Sequence, residues 1–330
     1  MSGVAPIARW AATALLLAVW GMALPVTAKA QPGFPERPIR LVIPFGPGGI
    51  ADVHSRILAD GLSKRLGKPV LVENKAGGFG IAAARDVLNS PPDGHTLTLL
   101  SNGTASSVSL AKNLTFDPVN DFAPIANVVY FDFLMVVSAN SPYKSLAEFI
   151  ADARNSPGKL NVGTAAHGSS ANLVAELLKQ ATATDFRILT YRNASERTIA
   201  LLRGDVVMLF DTYTVFKPQL DSNEFRAIAT TTAKRTPWFP NVPTAIESGL
   251  KDFEVTSWNG IFAHAKTPRA IINRLNREIN EVIANPESVS RMRTLGLEAG
   301  AGTAEALHDR LKNDVEKWAK VIKAAKIVPE

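Results

Sequence analysis

Residues 39–52 read Ile39-Arg40-Leu41-Val42-Ile43-Pro44-Phe45-Gly46-Pro47-Gly48-Gly49-Ile50-Ala51-Asp52. The first five read as a buried strand. A loop of glycine and proline follows, almost bare of side chains. Leu58, Leu62 and Leu66 then recur every fourth position until Gly67, the spacing and stop of a helix. The first N–H groups of a helix have no partner inside it, and the dipole places about half a positive charge there. Glycine lets a ligand approach that backbone closely. The stretch is expected to grip a carboxylate, and the rest of the chain to build a cleft around it.

The same unit recurs downstream. Pro69-Val70-Leu71-Val72-Glu73-Asn74 reads as a second strand, with a second glycine loop, Lys75 to Gly80, and an Ala-rich helix, Ile81 to Leu88. Leu97 to Leu100 is a third strand, followed by a polar loop, Ser101-Asn102-Gly103-Thr104. Alternating strands and helices predict a parallel α/β sheet with ligands beyond the strands' carboxyl ends. The apolar run 128–138 is long for one strand and fits a crossing between domains. A second α/β unit follows. It has a helix over Ser145 to Arg154, with Ser145 and Glu148 in capping-box spacing. A strand over Leu160 to Gly163 leads into the loop Thr164 to Ser170 and a helix over Asn172 to Gln180. Later elements are strands at 186–191, 206–210 and 226–230 and a helix at 195–202. A short helix is expected within 240–249. Residues 253–263 read as the return crossing. Two amphipathic helices, Pro268 to Ile283 and Thr303 to Ile327, close the chain.

Residues 1–30 have the form of an export signal. Arg9 precedes an apolar run from Trp10 to Leu24, and Ala28-Lys29-Ala30 fits a cleavage site before Gln31. The run is shorter than the ~20 residues of a membrane span. Its removal takes away Arg9 and Lys29 and lowers the formal charge of +6 by two. A mildly basic exported chain suits anionic small ligands. No Lys/Arg block with interleaved aromatics points to nucleic acid. The chain has no cysteine, which excludes disulfides and thiol chemistry, and a core of this size needs no staples.

Catalytic signatures are missing. The five histidines are scattered, with no H-E-x-x-H spacing. Gly168-Ser169-Ser170 lacks the frame of a nucleophile elbow. Neither glycine loop continues into G-K-S/T, so there is no P-loop. No catalytic residue, metal ligand or cofactor is expected. Asp52 and Asp211 either cap helices or face the ligand. Ser169 and Ser170 are N-caps at the least. His167 reads as structural or exposed, and Trp258 either lines the cleft or fills the hinge.

The landmarks Pro44-Phe45-Gly46-Pro47-Gly48-Gly49 with Asp52 and Arg56, and Val72-Glu73-Asn74 with Gly77 and Gly80, form an ordered set. It continues through Pro92-Asp93-Gly94-His95-Thr96-Leu97, Gly168-Ser169, Gly204-Asp205, Pro243-Thr244, Glu247-Ser248-Gly249-Leu250 and Trp258-Asn259-Gly260-Ile261-Phe262. Together they resemble the substrate-binding receptors of tripartite tricarboxylate transporters, the Bug family, over essentially the whole mature chain. The resemblance implies an α/β, two-domain periplasmic-binding-protein fold of type II-like, Venus flytrap form, with two crossing segments. Domain one would be 31–130 plus 254–330, and domain two 131–253.

It also implies a periplasmic, monomeric receptor that delivers a small carboxylate (a di- or tricarboxylate, acidic amino acid or aromatic acid) to membrane permease subunits. A receptor feeding a sensor kinase, or a secreted enzyme on a similar scaffold, are the alternatives. The expected ligand contacts are Phe45, Pro47, Gly48, Gly49 and Asp52 in the first loop, Gly78 in the second, and Ser101, Asn102 and Thr104 after the third strand. Ala165, His167, Gly168, Ser169, Ser170 and Asp211 complete them in the second unit. Two positions depart from the family pattern. Ile50-Ala51 removes a side-chain hydroxyl common before the Asp, and His95 replaces an aromatic in its turn. Ile50, with Phe45, Phe79 and Trp258, would favour a less polar acid.

Overall fold

The structure is a computed structural model and describes residues 33–329. The export segment expected at 1–30 lies outside the described residues. From Pro35 onward the described residues form one compact unit, built on two sheets.

The chain opens with β1 (Ile39–Ile43), α1 (Ile50–Leu66), β2 (Val70–Asn74), α2 (Ile81–Leu88), β3 (Thr96–Ser101), α3 (Asn102–Leu110) and β4 (Phe122–Asp132). It then enters the second sheet through β5 (Leu134–Ser138), α4 (Leu146–Asn155), β6 (Asn161–Thr164), α5 (Ser170–Thr182) and β7 (Arg187–Thr190). The path continues through α6 (Ala194–Arg203), β8 (Met208–Asp211), α7 (Tyr213–Asp221) and β9 (Phe225–Thr230). It returns with β10 (Thr256–His264), α8 (Arg269–Ile283), α9 (Pro286–Thr294), β11 (Glu298–Ala299) and α10 (Ala304–Ala324).

The first sheet has the order β11-β4-β10-β3-β1-β2, and the second β7-β6-β8-β5-β9. Strands β1, β2 and β3 are parallel, as are β6, β7 and β8. The carboxyl ends of β1 and β3 in one sheet, and of β6 and β8 in the other, each run into a helix, directly at β3 and through a short connection at the others.

Sequence chemistry explains the elements. Ile39, Leu41, Val42 and Ile43 of β1 are buried, and each such apolar side chain contributes roughly 1.5–3 kcal/mol. Arg40, the one charge in β1, forks onto Glu73 at 2.7–2.8 Å and reaches Asp86 at 2.8 Å. Ser145 caps α4 by accepting from the Glu148 N–H at 3.2 Å. Ile272, Leu275 and Ile279 of α8 are buried, as are Leu307, Leu311, Trp318 and Ile322 of α10. Those α10 side chains share one continuous apolar cluster with Leu178 of α5 and Phe149 of α4.

The long run 128–138 is two strands, one in each sheet, broken at Phe133. There the lobes are stitched together by Thr231. Its hydroxyl accepts from the Phe133 N–H at 3.0 Å and donates to the Val255 carbonyl at 2.6 Å. Its own N–H and carbonyl pair with Phe133 and Val255. One residue thus ties both crossings.

Some local expectations change. Ser101 to Thr104, read as loop, is the cap and first turn of α3. Gly, Ser, Thr and Asn are weak helix formers, so α3 depends on its packing against α10. The short helix expected within 240–249 is instead a set of turns, where Thr244 and Glu247 bond each other reciprocally. Helices α7 and α9 carried too little apolar periodicity to be read: each buries one side chain, Phe216 and Met292.

Candidate functional site: a cleft edged by helix N-termini

The loop after β1 is shaped by one carboxylate. Gly48 has φ +80°, a conformation that glycine adopts at low cost, and its N–H donates to Asp52 Oδ2 at 2.9 Å. The same carboxylate accepts from Arg56 at 2.8 and 3.1 Å and from Asn74 Nδ2 at 2.9 Å. These partners, the Arg56 guanidinium foremost, hold the Asp52 carboxyl down at about 2. Asn74 also donates to the Phe45 carbonyl at 3.0 Å, so both ends of the loop are anchored. Helix α1 starts at Gly49 without a side-chain cap. The amides of its first turn stay available to a ligand.

The second lobe repeats the device. Gly168 has φ +72°, and its N–H donates to Asn172 Oδ1 at 3.0 Å. Asn172 stands four residues on, as Asp52 does from Gly48. Its Nδ2 donates to Thr164 Oγ1 at 3.3 Å. Here the helix is capped, because Ser169 Oγ accepts from the Asn172 N–H at 3.3 Å.

Two more helix starts complete the rim. At α3 the Ser101 N–H donates to Thr104 Oγ1 at 3.1 Å. At α7 the Asp211 carboxylate accepts from the Thr212 N–H at 2.8 Å and pairs with Arg197. Burial pushes the Asp211 carboxyl upward, and Arg197 opposes that shift.

Between these ends lie two adjoining chambers of about 390 and 620 Å³ that share Phe45, Ser101, Gly103, Ser169 and Ser170. Among the described residues, neither has a lysine or arginine in its lining. The larger is walled by Ile50, Phe131, Phe133 and Val215, the smaller by Pro44, Phe79 and Leu110. A partly apolar space without lysine or arginine, rimmed by amides and hydroxyls, suits an anion whose middle is hydrocarbon.

Eleven expected contacts line these chambers: Phe45, Pro47, Gly49, Ser101, Thr104, Ala165, His167, Gly168, Ser169, Ser170 and Asp211. Three do not, and Gly78 lies outside the residues whose surroundings are described. Gly48 and Asp52 are occupied with each other behind the loop. Asn102 is buried, bonded to Trp318 and Ser170.

Trp258 is fully buried and donates to Asp314 at 2.6 Å, so it does not line the cleft. Its neighbours Ser257 and Asn259 do, as period-two alternation along β10 dictates. That alternation was the signal for both. Asn259 meets the buried His54 Nε2 at 2.7 Å, and burial pulls the His54 imidazole down to about 3, leaving it neutral. Phe131, Phe133 and Val215 could not have been placed without the tertiary fold.

Comparison with known proteins agrees with this fold. Residues 54–327 match the model of the tripartite tricarboxylate transporter family receptor. The chain is 35% identical over 308 residues to a protein of Pseudomonas sp. (strain P51) from the tcbD-tcbE intergenic region, covering 92% of each. Two solved structures are similar. Rpa4515 of R. palustris, with adipate, has a TM-score of 0.75 and 31% identity, over 90% of this chain and all of that one. MatC (Rpa3494) of Rhodopseudomonas palustris, with bound malate, has a TM-score of 0.71 and 30% identity, over 88% of this chain and all of that one. With its two α/β lobes and the cleft between them, the chain belongs to the tripartite tricarboxylate transporter receptor family.

Proposed function

We propose that the cleft holds a small dicarboxylate with an apolar middle and that the receptor hands it to its membrane permease. One observation carries the reading. The starts of α1 and α3 from one lobe and of α5 and α7 from the other meet one cleft that, among the described residues, has no lysine or arginine in its lining. One carboxylate would take the uncapped α1 amides, and the other the Ser169–Ser170 side. Asp211, already paired with Arg197, disfavours a third anion near α7. The apolar walls suit a methylene chain or a ring. The adipate of Rpa4515 and the malate of MatC support this class.

Domain one, 31–130 plus 254–330, and domain two, 131–253, would close about the Thr231 stitch. The mature chain would act in the periplasm as a monomer after loss of residues 1–30. No helix among the described residues is long and apolar enough to cross a membrane.

The test is a thermal-shift and calorimetry panel on residues 31–330, spanning C4 to C8 dicarboxylates, aromatic acids, acidic amino acids, phosphate and divalent cations. A ligand at 100 times its Kd adds about 2.7 kcal/mol of stability, a shift of degrees. Dicarboxylates should lead, and be recovered unchanged. Shifts with phosphate or cations alone, or none at all, would sink the reading.

A further inference from the structure

The fully buried Trp318 of α10 donates its indole N–H to Asn102 Oδ1 at 2.5 Å. An indole nitrogen can only donate. The orientation of the Asn102 amide follows from chemistry: its oxygen faces Trp318, and its nitrogen faces away. That nitrogen donates to Ser170 Oγ at 3.3 Å. A serine hydroxyl has one hydrogen. With Oγ accepting from Asn102, that hydrogen is free to point elsewhere. Ser170 is the first residue of α5 and lines both chambers of the cleft. Asn102 stands on α3 in the first lobe, so the chain of bonds passes from one lobe to the other.

We propose that Trp318 and Asn102 are positioning residues that set Ser170 as a hydrogen-bond donor toward the ligand. This rests on the cleft being the ligand site, as proposed above. The relay selects a hydrogen-bond acceptor, such as a carboxylate oxygen, at the Ser170 end and disfavours an ammonium or amide N–H there. Neither Trp318 nor Asn102 lines the cleft, so neither acts by contact.

The experiment is a double-mutant cycle on the mature chain, read by calorimetry with adipate as probe. Trp318→Phe keeps one aromatic ring and removes the donor. It should weaken adipate about tenfold with Ser170 intact, the worth of one well-placed hydrogen bond. In the Ser170→Ala background the same change should cost less than twofold. Ser170→Thr keeps the hydroxyl and should restore the coupling. Equal losses in both backgrounds would show that Trp318 acts through packing alone and would overturn the relay. If Trp318→Phe does not fold, Asn102→Leu runs the same cycle with the same expectations. If the unmutated protein binds no dicarboxylate of the panel, the site reading fails first, before any variant is made, and the relay fails with it.

Discussion

The starts of α1 and α5 are the same device built in two chemistries. Each follows a parallel strand, and each has a glycine with positive φ whose N–H donates to the side chain four residues on. In the first lobe that side chain is Asp52, its charge held by Arg56. In the second it is the neutral Asn172, held by Thr164. The first lobe then leaves α1 uncapped at Gly49, with Ile50 next. The second supplies hydroxyls at Ser169 and Ser170. The difference teaches that one backbone geometry can present bare amides on one side of a cleft and hydroxyls on the other. The charge that shapes the first loop is kept behind it, where it is neutralised before it can repel an anionic ligand.

Removing the clamp should show the difference most strongly. Asp52→Ala strands the Gly48 N–H, Asn74 and Arg56, and should cost about 2–3 kcal/mol of stability and most of the ligand affinity. Arg56 is half exposed and can rehydrate, which keeps the loss below that of a fully buried pair. Asn172→Ala should cost about 1–2 kcal/mol, because only neutral bonds are lost. Urea unfolding of both variants checks the ranking, and equal losses would break the comparison.

Acid should separate the lobes in the same direction. The Asp52 carboxyl lies near 2, below its ordinary 3.8, so its contribution is present above 3.8 and is lost as pH falls through 2. His54, neutral in the fold down to about 3 and protonated below about 6.5 when unfolded, also destabilises the fold as pH falls from 6.5 toward 3. Asp52→Asn should therefore be on the order of 2 kcal/mol less stable than wild type at pH 7, with the gap closing toward pH 2. A pH-independent gap, followed by denaturant titration, would show that the charge of Asp52 contributes nothing.

The two glycines should then differ from each other. Gly48→Ala and Gly168→Ala both force a side chain into the left-handed region, at about 1–2 kcal/mol. A Cβ at Gly48 would meet nothing within 4 Å, whereas at Gly168 it would meet Leu110 of the facing lobe at 3.1 Å. Gly168→Ala should be the worse, and it should also hinder closure, measured by calorimetry and melting temperature. The smallest effect belongs to Ile50→Ser, which makes α1 resemble α5. It should change stability by less than about 1 kcal/mol and shift preference from long-chain toward hydroxylated dicarboxylates by a few-fold. An unchanged ligand ranking would remove Ile50 from the specificity argument.

Much of this was legible before the fold. The repeated strand, small-residue loop and helix start placed most of the cleft lining, because turn glycines and apolar periodicity are local signals. Asp52 was visible as a first-turn carboxylate, but whether it faced ligand or loop depended on Asn74, 22 residues away. Helix α3 was hidden by its own weak propensity, and the sequence left Trp258 open between cleft and hinge because strand register is set by pairing partners.

What the sequence by itself determined is local: the buried parallel strands, the glycine turns, the starts of α1 and α5, and the absence of cysteine chemistry. Each follows from residue types within a few positions of one another. Only the tertiary structure decided which carboxylate clamps a loop, which strand face meets the cleft, and which side chains join across it. Asn102, Ser170 and Trp318 are separated by 68 and 216 positions in their bonds. A hydrogen bond depends on distance and direction in space, and no local pattern in the chain encodes either.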